Sequence, residues 1–509
     1  MYHGNISQMK CSWRNLIIIS LCAVCIGEAK AQNANELLSR SFWKGNPNIA
    51  TIQTSIDQGN DPTELDRFSF DALSYALIED ASEDILDYLI ELPGNGVNKM
   101  THDERTYVFW AAYRSNLKFM EKLVSRGAEV DIVDGHGYSL LNFAAVTGQT
   151  DTTLYNYLIA LGSRPSLELN RNGANALLLV SPFIRDRILV DYFQGHGIRP
   201  FDMDEDGANL FHYASKGGDT DFLQELAQMG FEPTLVTNDG RNAGHFAAMA
   251  TRGKSNDLAL YQFLDSLGVD LTVPCDQGKT PLMYCVAGNP SLEVLDFLTG
   301  LGTNLAASSR GGENALIMAS SRHSESVLEK LISPDFDLNQ TDDEGRSCLS
   351  NAVRNNSSGI LEFLLQNGAS SGLLYQTEGS LLNDLAIAHN RDTSDFWSKS
   401  KLLIADGFSL SAPQKNGNTL FHLAVENEDI PLCEVAVQFG VDIDFINRDG
   451  YSALHLAAMQ SDSPEMIQLL ISLGAEKSLM TPFEETAFHL VNENERLNSN
   501  RDIQILLKP

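Results

Sequence analysis

Five histidines, His212, His245, His422, His455 and His489, recur at one place in a repeating pattern, and imidazole serves as both metal ligand and general base. Spacing decides against a metal centre, which needs several ligands converging on one point. Neighbouring members stand a whole period apart, one to a unit, so they are spread along an axis and read as structural. His136 and His196, each between two glycines, fall on turns. The run Asp202-Met203-Asp204-Glu205-Asp206-Gly207 resembles the opening of a calcium loop. Such a loop needs a bidentate Glu at its twelfth position, and that position is Tyr213, so a turn is expected instead. No nucleophile elbow, zinc-protease helix, phosphate loop or dinucleotide fingerprint occurs in the chain. No catalytic residue, metal ligand or cofactor site is assigned.

The remaining candidate chemistry is charge. The 509 residues carry 36 basic and 67 acidic side chains, a net charge of −31. Such a field repels nucleic acid and anionic membrane surfaces and favours a basic partner, besides promoting solubility. Several acids cluster in turns: Asp202, Asp204 and Glu205; Asp342, Asp343 and Glu344; Asp442 and Asp444. These eight are the candidate partner-binding residues. Asp239 and Asp449, in equivalent turns, are expected to hold the turn through their own backbone. Beyond the N-terminal segment the cysteines are Cys275, Cys285, Cys348 and Cys433, without a C-x-x-C pair. This sparse, wide spacing argues against a disulfide framework. Cys285 takes a small buried position; its pairing with Cys275, in the same unit, stays open.

The elements that must position these side chains follow from two glycine series in step. One runs Gly137, Gly173, Gly207, Gly240, Gly278, Gly312, Gly345, Gly379, Gly417 and Gly450, at intervals of 33 to 38. The other marks the end of each unit, from Gly127 to Gly474, with Asp335 at the one position glycine leaves vacant. One unit reads as turn, short helix, tight turn, second helix, and a glycine that ends the helix at positive φ. Ser452, Thr419 and Thr280 are placed to cap first helices, and Pro281 costs no hydrogen bond in a first turn. Second helices carry the larger apolar stripe, as in Tyr261, Phe263, Leu264 and Leu267. Such a unit cannot bury its face alone, but stacked units can.

The clearest copy is Asp449-Gly450-Tyr451-Ser452-Ala453-Leu454-His455-Leu456-Ala457-Ala458, with others at Asp206 to Ala214, Asp239 to Ala248, Gly278 to Leu282 and Asn416 to Ala424. These stretches resemble the ankyrin repeat, over almost all of the chain beyond the N-terminal segment. The resemblance implies an all-α repeat solenoid of stacked helix-turn-helix units with short β-hairpin-like fingers, about fourteen units in all. It also implies that the concave face and fingers bind other proteins, and that the recurring histidine hydrogen-bonds within and between neighbouring units.

In chain order, residues 1–31 read as an export signal. Lys10 and Arg14 precede an apolar run from Leu16 to Ile26, followed by the small-x-small site Ala29-Lys30-Ala31. That run is far shorter than the roughly 20 residues that span a bilayer, so no membrane span is expected. Residues 32–65 form a degenerate capping unit, with Leu37, Leu38, Phe42 and Trp43 on one helix and Ile49, Ile52 and Ile56 on the next. The array occupies 66–478 and a C-terminal capping repeat 479–509. Two long units place extra loop near Thr251 to Asp257 and near His389 to Lys401, where Phe396-Trp397 is expected to be buried. The reading is an exported, periplasmic or secreted, non-catalytic and monomeric scaffold for a protein partner. An accessory or inhibitory factor of an envelope enzyme is the alternative, and small-ligand or calcium binding ranks last.

Overall fold

The computed structural model describes residues 35–251, 254–333, 337–372 and 381–508. The segment 1–31 expected to direct export, Asp335 and Gly379 lie outside them. Regular structure among the described residues is helical, and β pairing is limited there to two isolated antiparallel bridges, Val133 with Ser139 and Thr341 with Ser347. The described residues fall into two compact units. One ends at Ala144 and takes back Thr153–Ser163; the other takes Ala145–Thr152 and runs on from Arg164.

In the first unit, the helix expected to carry Leu37 and Trp43 together is broken. Ser39 is extended, with φ −108 and ψ 124, and separates a 3-10 turn, Glu36–Leu38, from the helix Arg40–Lys44. Leu37 and Trp43 are nonetheless both buried, joined by a hydrogen bond of 2.8 Å from the Trp43 indole to the Leu37 carbonyl. Ile49, Ile52 and Ile56 do share the next helix, Ile49–Asp57. The helices Ala72–Ile78 and Tyr107–Tyr113 are buried almost throughout, because helices pack on more than one side of them. Between them Asp71 is wholly buried, yet satisfied. It caps its own helix through the Ser74 amide at 2.8 Å and accepts from the Lys99 ammonium at 2.7 Å and the Tyr107 hydroxyl at 2.6 Å. Burial, and then the Asp71 charge, push the Tyr107 phenol up.

The second unit repeats a single arrangement. First helices such as Leu210–Ser215, Ala243–Met249, Pro281–Ala287 and Leu420–Glu426 bury nearly every residue. Second helices bury one stripe: Phe222, Leu223 and Leu226; Val294, Leu295 and Leu298; Ile360, Leu361 and Leu364. This i, i+1, i+4 pattern is what one face of a 3.6-residue helix presents to a core with water on its other side. Ser452 and Thr280 cap their helices through the His455 and Met283 amides, and Thr419 meets the His422 ring at 2.9 Å.

The two long units differ from each other. Near Thr251 to Asp257 the described residues 254–257 are non-helical and stitched down by Asn256, whose side-chain amide donates to the Ala247 carbonyl at 2.8 Å and the Lys216 carbonyl at 3.2 Å. Near His389 to Lys401 there is no loop. The extra residues lengthen both helices, Leu381–Arg391 and Thr393–Ala405, which meet at Asp392, the N-cap of the second. Burial of His389 against Asp429 at 2.5 Å and of Lys399 against Asp395 at 2.8 Å lets polar residues continue these helices inward. Phe396 is fully buried and Trp397 38% exposed, so the aromatic pair is divided between core and surface.

Candidate partner-binding surface

Each turn between units is built by one residue, three places before the residue of positive φ. Asn447 shows the construction. Its amide donates to the Tyr451 carbonyl, its carbonyl accepts from Gly450, and its side-chain oxygen accepts from the amides of Asp449 and Tyr451. Asp66, Asp134, Asn170, Asp204 and Asp342 make the same side-chain bonds to amides in their own turns. Asp239 and Asp449, expected to hold these turns, do not. Asp449 donates to the holder, and the Asp239 carboxylate instead receives the Thr237 hydroxyl and the Arg241 guanidinium. The geometry requires an acceptor at the first position of the loop, and theirs is the third.

Adjacent fingers of the second unit are joined by their backbones. Glu205 donates its amide to the Asn172 carbonyl at 2.8 Å, Asn238 to Asp206 at 2.7 Å, Asp276 to Asp239 at 2.8 Å, Arg310 to Gln277 at 2.8 Å, Asp343 to Gly311 at 2.9 Å and Arg448 to Asn416 at 3.0 Å. This close approach explains the glycines better than φ alone. A Cβ on Gly417, at φ +86, would sit 2.8 Å from the Arg448 nitrogen, and one on Gly312 would sit 2.9 Å from the Asp342 Cα.

The recurring histidines clamp the units behind the fingers. In His212, His245, His422 and His455, Nδ1 accepts the N-cap amide, as from Ser452 to His455 at 3.1 Å. Nε2 faces a carbonyl further along: Leu235 at 2.9 Å, Lys279 at 3.2 Å, Tyr451 at 3.0 Å and Leu479 at 3.0 Å. An acceptor at Nδ1 and a donor at Nε2 make each ring neutral. Burial lowers His212 and His245 to about 4, holding them in that form. Both nitrogens are occupied, which leaves none for a metal or substrate. His489 caps its helix through Nδ1.

The eight acidic candidates separate into builders and exposed groups. Asp342 is buried, bonded to the amides of Glu344 and Arg346 and to the Arg346 guanidinium at 2.9 Å. Asp204 holds its turn and accepts from the Tyr213 hydroxyl at 2.8 Å. Asp444 accepts the Glu476 amide at 2.8 Å, tying one unit to the next. Asp202 pairs with Arg199 at 2.8 Å and Glu344 with Arg346 at 3.0 Å on the surface. Glu205 and Asp343 present their side chains to solvent, and Asp442, also exposed, accepts the Asp444 amide at 3.0 Å.

Sequence reasoning missed the apolar members of this surface. The residue just before each holder is exposed and apolar at Leu65, Met100 and Val133 in the first unit, and at Leu169, Met203, Val236, Ile446 and Met480 in the second. The signal was a hydrophobic residue preceding these eight turns. Other chemistry is sparse. The four cysteines among the described residues are free and buried, Cys285 held against the Tyr261 hydroxyl at 3.0 Å and its thiol pushed up to about 12 by burial. No group of three His, Cys, Asp or Glu that could hold a metal ion occurs among the described residues, nor any helix there long and apolar enough to cross a membrane. A hollow lined by Ala248, Tyr261, Cys285 and Val294 has room for about one water.

Comparison with known proteins agrees with this geometry. The chain is 35% identical over 134 residues to "Nuclear factor NF-kappa-B p105 subunit" of Gallus gallus, covering 26% of the chain and 13% of that protein. It is 23% identical over 301 residues to "NF-kappa-B inhibitor zeta" of Bos taurus, covering 52% and 40%. A match to "L-asparaginase" of Dirofilaria immitis, 26% identical over 160 residues, covers 31% of the chain and 26% of that enzyme. The chain thus spans less than half the length of each of these relatives. The ankyrin-repeat family profile matches residues 211–309, 282–373 and 396–506, together more than half of the chain. With its repeated helix pairs, clamping histidines and backbone-joined fingers, this chain belongs to the ankyrin-repeat family.

Proposed function

We propose that this chain is an exported, non-catalytic scaffold that holds a protein partner along its finger edge. The observation that carries the reading is the register of exposed apolar side chains in successive fingers, Leu169, Met203 and Val236. Apolar side chains in a row, rimmed by charge, mark interaction sites. Glu205, Asp343 and Asp442 supply the rim and favour a basic partner, while Asp204 and Asp342 shape the turns that carry it. Export rests on the segment 1–31, and the unit at Glu36–Asp57 serves as the N-terminal cap.

An inhibitory factor, acting by blocking an enzyme's site, is the second reading; it is favoured by the similarity over 52% of the chain to a protein named as an inhibitor. The test is co-purification of the chain from its own cell's envelope extract at low salt and at about 0.5 M, where screening is several-fold shorter-ranged. A protein retained at both salts supports the scaffold, and an enzyme silenced by the addition supports the inhibitor. Nothing retained at either salt, or turnover by the pure chain that one local mutation abolishes, overturns both.

A further inference from the structure

Three features meet at the fingers built on Asn447 and Thr481, the first of which sets them apart from the fingers before them. First, Pro482 occupies the position whose amide, in the fingers of Glu205, Asn238, Asp276, Arg310, Asp343 and Arg448, donates to the preceding finger. Proline has no N–H to give, so the Asp449 carbonyl is left without a donor. The ring instead packs against the preceding turn, and a Cβ on Gly450 would lie 2.3 Å from Pro482 Cγ. Second, exposed apolar side chains stand here, as they do in earlier fingers: Ile446 at 39%, Met480 at 62% and Phe483 at 73%. Third, the carboxylates of Asp449, Glu484 and Glu485 have no ion-pair or hydrogen-bond partner among the described residues. Of the cations in this stretch of the sequence, Lys477 is spent on the carbonyls of Leu506 and Lys508.

Resting on the scaffold reading, we infer that this two-finger edge docks an extended segment of a partner protein, in which lysine or arginine alternates with large apolar side chains. The chemistry of each part selects it. A chain in extended form offers side chains alternately to two sides and backbone amides along its edge. Its apolar side chains cover Met480, Phe483 and Ile446, its cations face Asp449 and Glu484, and one amide supplies the donor the Asp449 carbonyl lacks. A second copy of this chain fits badly, because it would bring like carboxylates together on a molecule of net charge −31.

The experiment titrates the full chain against fluorescein-labelled synthetic peptides of alternating lysine and leucine, followed by anisotropy at about 0.15 M salt. Peptides with glutamate in place of lysine, or serine in place of leucine, are the controls. The lysine–leucine peptide is expected to bind best. The double variant M480S/F483S should weaken it about tenfold or more, as should D449N/E484Q, since losing an interface anchor commonly costs at least that much. I188S, which alters an exposed apolar residue of another helix, should leave it unchanged. All these side chains are exposed, so circular dichroism and Tm should show the variants folded. Equal affinity of wild type and M480S/F483S, or equal binding of the glutamate peptide, overturns the inference. A partner co-purified equally by wild type and M480S/F483S also sinks this docking edge while leaving the scaffold reading standing; wild type that retains no partner sinks the scaffold reading itself.

Discussion

At the scale of single residues, His245 joins two roles that one substitution separates. It caps its helix and reaches the Lys279 carbonyl, so His245→Ala is expected to cost about 1 to 3 kcal/mol at pH 7 in urea unfolding, the price of leaving buried groups unpaired. The ring also sets a pH dependence. Its folded pKa, lowered by burial to about 4, lies below the unfolded value of 6.5, so the unfolded chain takes up the proton first as pH falls. The contribution is therefore complete above about 6.5 and is lost between there and about 4. Wild type should lose stability across that window more steeply than His245→Ala, and parallel slopes would show the ring is not buried neutral. Glu484 supplies a second residue-scale test. It holds φ +63 at the place where Gly450 holds φ +87, and a side chain there costs roughly 1 kcal/mol. Glu484→Gly should raise stability by about that amount, measured as a higher urea midpoint at unchanged slope.

At the scale of helices and turns, Leu454 in the Ala453–Gln460 helix is 1% exposed, and its replacement by Ala should cost about 2 to 5 kcal/mol in the same unfolding measurement. A cost below about 1 kcal/mol would mean the helix is not packed on that face. The period of the units was legible because glycine is needed wherever a turn takes positive φ close to the next backbone, and Gly312 and Gly417 meet both conditions. The first fingers were harder to see for the same reason in reverse. Ser69 and Glu104 take φ +62 and +59 at the glycine position, so the turn is present without its marker. Length alone did not say whether extra residues loop out or extend helices. Around His389 the answer depends on a partner, Asp429, forty residues away, which pattern along the chain does not reveal. The candidate surface was half legible: acidic turns were visible, but which acid builds and which is exposed depends on position within the turn. Asp342 and Asp343 are adjacent, one buried and the other exposed.

At the scale of the whole molecule, composition and the N-terminal segment make a claim that can be checked without any partner. If residues 1–31 direct export, mass spectrometry of the chain recovered from the periplasm or medium of its own cells should find an N-terminus at Gln32. Recovery from the cytoplasm with the apolar run Leu16 to Ile26 still attached would overturn that reading.

The backbone seam joining the fingers has a consequence for how the second unit comes apart. Stacked repeats depend on nearest-neighbour interfaces, so opening spreads from unit to unit. Pro482 leaves a stitch out of the seam, and the junction that follows Asn447 is held by side-chain packing, the His455 bond to Leu479, the Asp444 bond to Glu476 and the Asn494 side-chain bonds to the Ala458 and Ser461 carbonyls. The helices Ala487–Val491 and Arg501–Leu507 can therefore peel away as one segment while the fingers before them stay sewn. In amide hydrogen exchange they should lose protection together and earlier than the Arg448 amide, and exchange at one common rate across this junction would show that the missing stitch does not weaken it.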